Sequence, residues 1–334
     1  MIVLGIESTA HTFGIAVLDG KKVLSNIIDS FSSASGGMIP GEVAQHHMQV
    51  FDAVLKKALA TANIRLQDID LVAFSQGPGL GNTLRIGATV ARSISLIHKK
   101  PLIGVNHCIA HLEIGSLLTP CKEPVLLYAS GANTQVIAYD RGKYRVFGET
   151  LDMGIGNFLD SFGRRLGVGF PAGPQIEEHA RKGTTYIKLP YAVKGMDVSF
   201  SGMYTLLRTM IEKEKKEKGT LSADFIADLC SAVQETSFAM LVEVSERALA
   251  HCGKKELLLG GGVACNKRLQ EMCSIMCTER KAKSYSLPNQ YNVDNAAMIA
   301  WTGYLMHKAG VRMKIKESAI RPYERTDDVN VRWR

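Results

Sequence analysis

The first third of the chain alternates short apolar runs with turns. Residues 2–7, 13–18 and 22–28 read as strands, with Asp19-Gly20 supplying a tight hairpin turn and Ser8-Thr9-Ala10-His11-Thr12 forming a short hydroxyl-rich turn between the first two. A helical period runs from about 42 to 63. A buried strand follows at 71–75, then a glycine-rich turn, a helix over 83–98, and a strand at 102–105 that runs into a helix at His107.

The pattern then begins again. Shifted by 122 positions, Val3, Leu4, Ser8, Ala10, Thr12, Ile15 and Ala16 fall on identical residues at Val125, Leu126, Ser130, Ala132, Thr134, Ile137 and Ala138, and a second hairpin turn follows at Asp140-Arg141-Gly142-Lys143. A duplicated αβ unit is the simplest reading. Two such sheets, each offering a small polar turn, can face one another across a cleft and cradle phosphates through backbone N–H groups, although a repeat can also serve folding alone. Further on, helices are predicted over 157–166, 173–182, 222–252, 267–277 and 293–309, with a strand at 256–259. The run Glu212-Lys213-Glu214-Lys215-Lys216-Glu217-Lys218 reads as a solvated helix end. A basic tail, 326–334, closes with Arg332-Trp333-Arg334 and is either disordered or in contact with a partner.

Composition narrows the classes. With 334 residues, 46% of them apolar, the chain is long enough for two domains with substantial cores. No apolar run approaches the roughly 18 residues of a membrane span, and the start reaches an acid at Glu7 without a basic region, so a cytoplasmic protein with no membrane partner is expected. Seven cysteines without zinc-type pairing point to a reducing compartment, with Cys273 and Cys277 serving as small buried hydrophobes. A net charge of +8 suits a polyanionic partner without requiring one.

His107 and His111 lie four residues apart on one helical face, a spacing that can present two imidazoles to one metal ion or bury two histidines against backbone. Gly77-Pro78-Gly79-Leu80-Gly81-Asn82 fails as a dinucleotide fingerprint, because Asn82 stands where the third glycine belongs and no acid ends the next strand. No Walker-type phosphate loop occurs. Gly260-Gly261-Gly262 after a strand allows close approach of backbone to a flat ligand such as adenine, with Asn266 in reach to hydrogen-bond it; a plain strand-to-helix turn is the alternative.

Gly5-Ile6-Glu7-Ser8-Thr9-Ala10-His11-Thr12, Gln76-Gly77-Pro78-Gly79-Leu80-Gly81, Asn106-His107-Cys108-Ile109-Ala110-His111, Gly260-Gly261-Gly262-Val263-Ala264 and Asp294-Asn295 together closely resemble the catalytic-subunit family of the KEOPS complex. Its relatives include bacterial TsaD, and its members were once described as O-sialoglycoprotein endopeptidases. The resemblance runs from residue 1 to about 325.

It implies the α/β fold called ASKHA, shared by actin, Hsp70 and sugar kinases, with a first lobe over 1–118 completed by about 300–325 and a second over 119–299. It also implies transfer of a threonylcarbamoyl group from threonylcarbamoyl-AMP to N6 of the adenosine beside the anticodon in ANN-decoding tRNAs. Residue by residue, His107, His111, Tyr128 and Asp294 match the family's ligands to one divalent metal, iron or else zinc. Tyr128, Ala129, Ser130, Gly131, Ala132, Asp160, Gly173, Glu177 and Asn266 match its contacts to the adenylate, and Gly261 and Gly262 join them from the glycine run. The implied partners are tRNA, an atypical kinase-like ATPase subunit, a small dimerising subunit and a further regulatory subunit, with the ATPase expected as a separate polypeptide.

Three positions depart from the family pattern: Gly41 stands in place of arginine, and Ala132 and Ala172 in place of glycine. The first removes a substrate or tRNA contact, and the two methyls narrow the approach of backbone to phosphate. Two other function classes are weighed. A metallopeptidase needs H-E-x-x-H, but Cys108 follows the first histidine and Glu113 lies beyond the second. An ATP-binding scaffold or DNA-binding protein fits the charge and fold but has no use for four metal ligands.

Overall fold

The computed structural model describes residues 1–32 and 39–334. The first half runs β1 (Ile2–Glu7), β2 (Thr12–Asp19), β3 (Lys22–Ser30), α1 (Pro40–Ala62), β4 (Leu71–Gly77), α2 (Gly81–His98), β5 (Leu102–Asn106) and α3 (His107–Leu118). The second runs β6 (Val125–Ala129), β7 (Thr134–Asp140), β8 (Lys143–Glu149), α4 (Ile155–Leu166), α5 (Gly173–Ala180), the short hairpin β9 (Val193–Lys194) and β10 (Asp197–Val198), α6 (Ser201–Lys218), α7 (Ala223–Cys252), β11 (Glu256–Gly260), α8 (Lys267–Glu279), β12 (Lys283–Ser286), α9 (Asn289–Asn292) and α10 (Ala296–Lys308).

The repeat in the sequence is a repeat in space. The first sheet has strand order β3-β2-β1-β4-β5 and the second β8-β7-β6-β11-β12. In each, three antiparallel strands are joined to two parallel ones. The period-2 alternation of the strands decides which layer each face meets. Leu4, Ile6, Phe13, Ile15 and Val17 pack against α1 and α2, while Val3, Ala16, Leu71, Ala73 and Val105 turn the other way, onto α3 and α10. Leu126, Tyr128, Ile137 and Leu258 of the second sheet join that same inner core, and the opposite face, with Val125, Leu127, Val136 and Leu257, packs on α7 and α8. Helices α3 and α10 are therefore held between two sheets. Backbones are close there: a Cβ on Gly5 would stand 2.4 Å from the Ala296 carbonyl.

Four features differ from the sequence expectation. The strand β12 is polar and four residues long, too short and too weakly patterned to read. Helix α10 starts at Ala296, capped by the Asn295 side chain, which leaves Asp294 outside the helix. Helix α7 has the length and hydropathy of a membrane span, which no unbroken apolar run announced; yet Leu229, Val233, Leu241 and Val244 along it are buried in the second core. The tail is not loose: Val331 is buried in the inner core, and Trp333 and Arg334 reach the Glu113 carboxylate of α3.

Candidate active site

Helix α3 is apolar on all sides and buried from His107 through Gly115, as a helix between two sheets must be. Asn106, the last residue of β5, caps it by accepting from the Ile109 N–H at 3.2 Å, a bond worth about 1 kcal/mol. His107 is thereby fixed at the point where the two sheets meet.

Both lobes grip its ring. On the first-sheet side, Nδ1 lies 3.0 Å from Glu7 Oε2, and the other Glu7 oxygen accepts from the Thr9 N–H at 2.7 Å and from the Thr9 hydroxyl. With Nδ1–H donating to that fully buried carboxylate, the lone pair on Nε2 faces the second sheet. There, Nε2 lies 3.1 Å from Tyr128 Oη and 3.3 Å from Asp294 Oδ1. One helical turn on, His111 Nε2 is 3.4 Å from the same Asp294 oxygen. The four residues matched by resemblance thus converge on one spot.

Their donor set fits a cation. An ion bound about 2.1 Å from each atom in tetrahedral fashion needs neighbouring donors roughly 3.4 Å apart; three of the donor separations are 3.1, 3.3 and 3.4 Å, and the ligand atoms of His107, His111 and Asp294 all lie within 4.8 Å of one another. Two neutral imidazoles, a phenol and a carboxylate make a mixed nitrogen and oxygen shell suited to iron or zinc. The electrostatics without an ion agree. Burial opposes charge on His107, but Tyr128, Glu7 and Asp294 outweigh it and raise its pKa well above the ordinary value. Burial lowers the pKa of His111 and raises that of Tyr128. Asp294, despite its own burial, is held far below the usual carboxylate range by the two histidines.

The expected adenylate contacts lie along the second sheet. Ser130 closes the turn after β6 by giving its N–H and hydroxyl to the Asn133 carbonyl, both at 2.9 Å. The Ser130 and Gly131 carbonyls accept from the Gly156 and Asn157 N–H groups of α4. Gly261, at φ +90°, is packed so tightly that a Cβ would stand 2.4 Å from the Ala129 carbonyl, whereas Gly262 and Gly173 border open space. Asp160, its pKa raised by burial, accepts from the Ala172 N–H at 2.8 Å. Glu177 receives the Lys267 N–H at 3.2 Å. Asn266 is occupied: its oxygen caps α8 at Arg268 and Leu269, and its amide donates to Gln234 at 3.0 Å.

The departures from the family pattern have separate settings. The Ala132 side chain is exposed, and so is Gly41 in the first turn of α1. Ala172 is buried, its methyl turned onto Gly163 of α4. Sequence reasoning missed Glu7 as a functional residue, although an acid ending an apolar strand was a visible signal. Glu113, which follows the second histidine, is engaged elsewhere. Glu113 binds Tyr144, Trp333 and Arg334, with the Arg334 guanidinium 5.5 Å from the centres of the Tyr139 and Tyr144 rings.

Two sheets of identical order around a shared helical layer, with a nitrogen and oxygen donor cluster at their junction, define a two-lobed ASKHA protein. The architecture matches solved structures over nearly the whole chain. One is HypF from T. kodakarensis, with TM-score 0.64 and 14% identity over 96% of this chain and 49% of that one. Another is the activator of the 2-hydroxyisocaproyl-CoA dehydratase from Clostridium difficile, solved with ADPNP, with TM-score 0.55 and 12% identity over 94% of this chain and 99% of that one. Residues 22–301 match the family model of TsaD, tRNA N6-adenosine threonylcarbamoyltransferase. The chain is 52% identical over the full length of both proteins to the tRNA N6-adenosine threonylcarbamoyltransferase of Thermococcus kodakarensis. It is 50% identical to the probable bifunctional tRNA threonylcarbamoyladenosine biosynthesis protein of Methanosarcina mazei, over 99% of this chain and 59% of that protein. The chain belongs to the TsaD family of tRNA-modifying transferases.

Proposed function

We propose that the donor is threonylcarbamoyl-AMP, that the acceptor is N6 of the adenosine beside the anticodon of ANN-decoding tRNAs, and that a divalent cation, iron or zinc, at His107, His111, Tyr128 and Asp294 serves the step. A bound cation there supplies Lewis acidity toward the carbamoyl carbonyl and fixes the donor's orientation. The chain's own residues do the rest. Glu7 holds His107 in the tautomer that points Nε2 inward. The backbone at Gly173 and Gly262 leaves open surface for the adenylate, with Ser130 to Ala132, Asp160, Glu177 and the Asn266 cap around it. The amine nitrogen bonds to the carbamoyl carbon as the bond from that carbon to the phosphate oxygen breaks; AMP leaves, and the amine gives up a proton.

The observation that carries this reading is the convergence of the four donors, three of their separations lying at 3.1–3.4 Å while a buried carboxylate supports the first histidine from behind. We place the protein in the cytoplasm, within KEOPS, alongside a kinase-like ATPase, a small dimerising subunit and a regulatory subunit. The test is His107→Ala. Thermal melts should show a folded protein, elemental analysis should show bound metal falling from one per chain to none, and nucleoside mass spectrometry should show no threonylcarbamoyladenosine from tRNA, threonylcarbamoyl-AMP and the partner proteins. Undiminished modification removes the metal from the mechanism.

A further inference from the structure

The segment from Arg321 to Asp328 lies across the mouth of the site. Arg321 donates its N–H to the Gln76 carbonyl at 2.8 Å, and Gly79 donates to the Pro322 carbonyl at 3.1 Å. A Cβ on Gly77 would stand 1.9 Å from the Arg321 carbonyl, so the segment rests directly on the turn after β4. Glu324 accepts from the Asn106 amide at 3.0 Å, one residue before His107. Arg325 reaches Glu149 of the second sheet at 3.6 Å.

A segment fixed at so many points has every reason to bury its apolar side chains, yet Tyr323 is 93% exposed, more than any other large apolar side chain among the described residues. It stands at the tip of a closed turn, where the Glu324 N–H donates to the Arg321 carbonyl and the Arg321 guanidinium binds the Glu324 carboxylate at 2.7 Å. Half-exposed Arg321 and Arg325 flank it. Beside Pro322 lies Gly81, the first residue of α2, and one turn along that helix Arg85 is exposed, its recorded contact being Asn82.

We propose that Tyr323 is a stacking platform for an unpaired base of the tRNA anticodon loop, positioned beside the His107 centre. This rests on the transferase reading, which requires a loop nucleotide to enter that mouth. Proteins that read single-stranded RNA stack splayed bases on exposed aromatic rings and guanidinium planes. The rigid turn means that little ordering entropy remains to be lost on binding. Glu324 and Asp327 offset the charge of the flanking arginines, so the contact depends on the ring more than on phosphate attraction.

The experiment measures the full-length protein's affinity for a fluorescent anticodon stem-loop and for a duplex of the same stem without a loop. Stacking is worth about 1–3 kcal/mol per base, so Tyr323→Ala should weaken stem-loop binding by roughly tenfold or more and leave the duplex unaffected. Tyr323→Phe, which keeps the ring, should return to within about threefold of wild type. In the assembled complex, Tyr323→Ala should raise KM for tRNA by a similar factor with little change in kcat, the signature of lost uniform binding. Wild-type affinity in Tyr323→Ala overturns the proposal, and so does an equal loss in Tyr323→Phe. Ring-dependent loop binding by a protein that makes no threonylcarbamoyladenosine upholds the platform and overturns the transferase reading instead.

Discussion

The two copies of the strand-turn-strand unit share their topology, and two adjacent differences between them bear on the His107 ring. The first copy ends its opening strand on Ile6-Glu7, and the second, 122 residues on, ends it on Tyr128-Ala129. Ile6 is core, and Tyr128 lies 3.1 Å from His107 Nε2; Glu7 lies 3.0 Å from His107 Nδ1, and its counterpart is an alanine. The duplicated strand thus delivers one polar group from each lobe to opposite sides of the same imidazole, one register position apart. A one-residue step reverses the face of a strand, which is how equivalent strands can address one ring from front and back. The turns that follow differ too. Thr9 folds over Glu7 in the first, whereas the second is pressed against Gly154 and Gly156 of α4, with its backbone left for a ligand.

Removing the first copy's contribution should have the largest effect. Glu7→Gln keeps the shape but loses the charge behind Nδ1, and support of this kind is worth about 10–100-fold in metal affinity; metal titration monitored by competition with a chelator measures it. A change confined to the second turn sharpens the contrast. In Gly154→Ala the new Cβ would stand 2.3 Å from the Gly131 carbonyl. Overpacking against backbone should cost about 1–3 kcal/mol in denaturant unfolding and weaken adenylate binding while the chain still takes up metal.

The smallest effect comes from His47, which lies beneath the first turn with its ring edge-on to Phe13 and has no counterpart in the second copy. Burial, and then the charges of His46 and His11, lower its pKa from 6.5 to about 4. The unfolded chain therefore takes up this proton first as pH falls. Stability is intact above the unfolded value and is lost between roughly pH 6.5 and pH 4, by about 1 kcal/mol at pH 6. The melting temperature of the wild type should fall over that window more steeply than that of His47→Gln.

Much of this was legible in the residues. Short apolar runs and turn chemistry located β1 to β5, and the offset of 122 announced the second sheet because it preserved both strand and turn residues. The His107 and His111 pair was visible from helical spacing, since both side chains sit on one element. Tyr128 and Asp294 were legible only through resemblance, because 21 and 183 residues respectively separate them from their partners and no local period records such a contact. The part Glu113 plays in holding the tail was not legible because its binding partners, Tyr144, Trp333 and Arg334, are distant in sequence. Asn266 looked free to meet a ligand because a helix cap and a ligand contact use the same amide.

Helix α10 covers the inner face of the first sheet, yet it is encoded after the whole of the second. At synthesis rates of about 5–20 residues per second, β1, β2, β4 and β5 wait on the order of ten seconds or more for their cover, with Val3, Ala16 and Ala73 in solvent. Asp294, immediately ahead of that helix, arrives with it. The cluster of His107, His111, Tyr128 and Asp294 is therefore completed among the last events of folding, and a nascent or truncated chain that lacks Asp294 and α10 brings only His107, His111 and Tyr128 to it. Late closure of this kind ties completion of the donor cluster to completion of the fold.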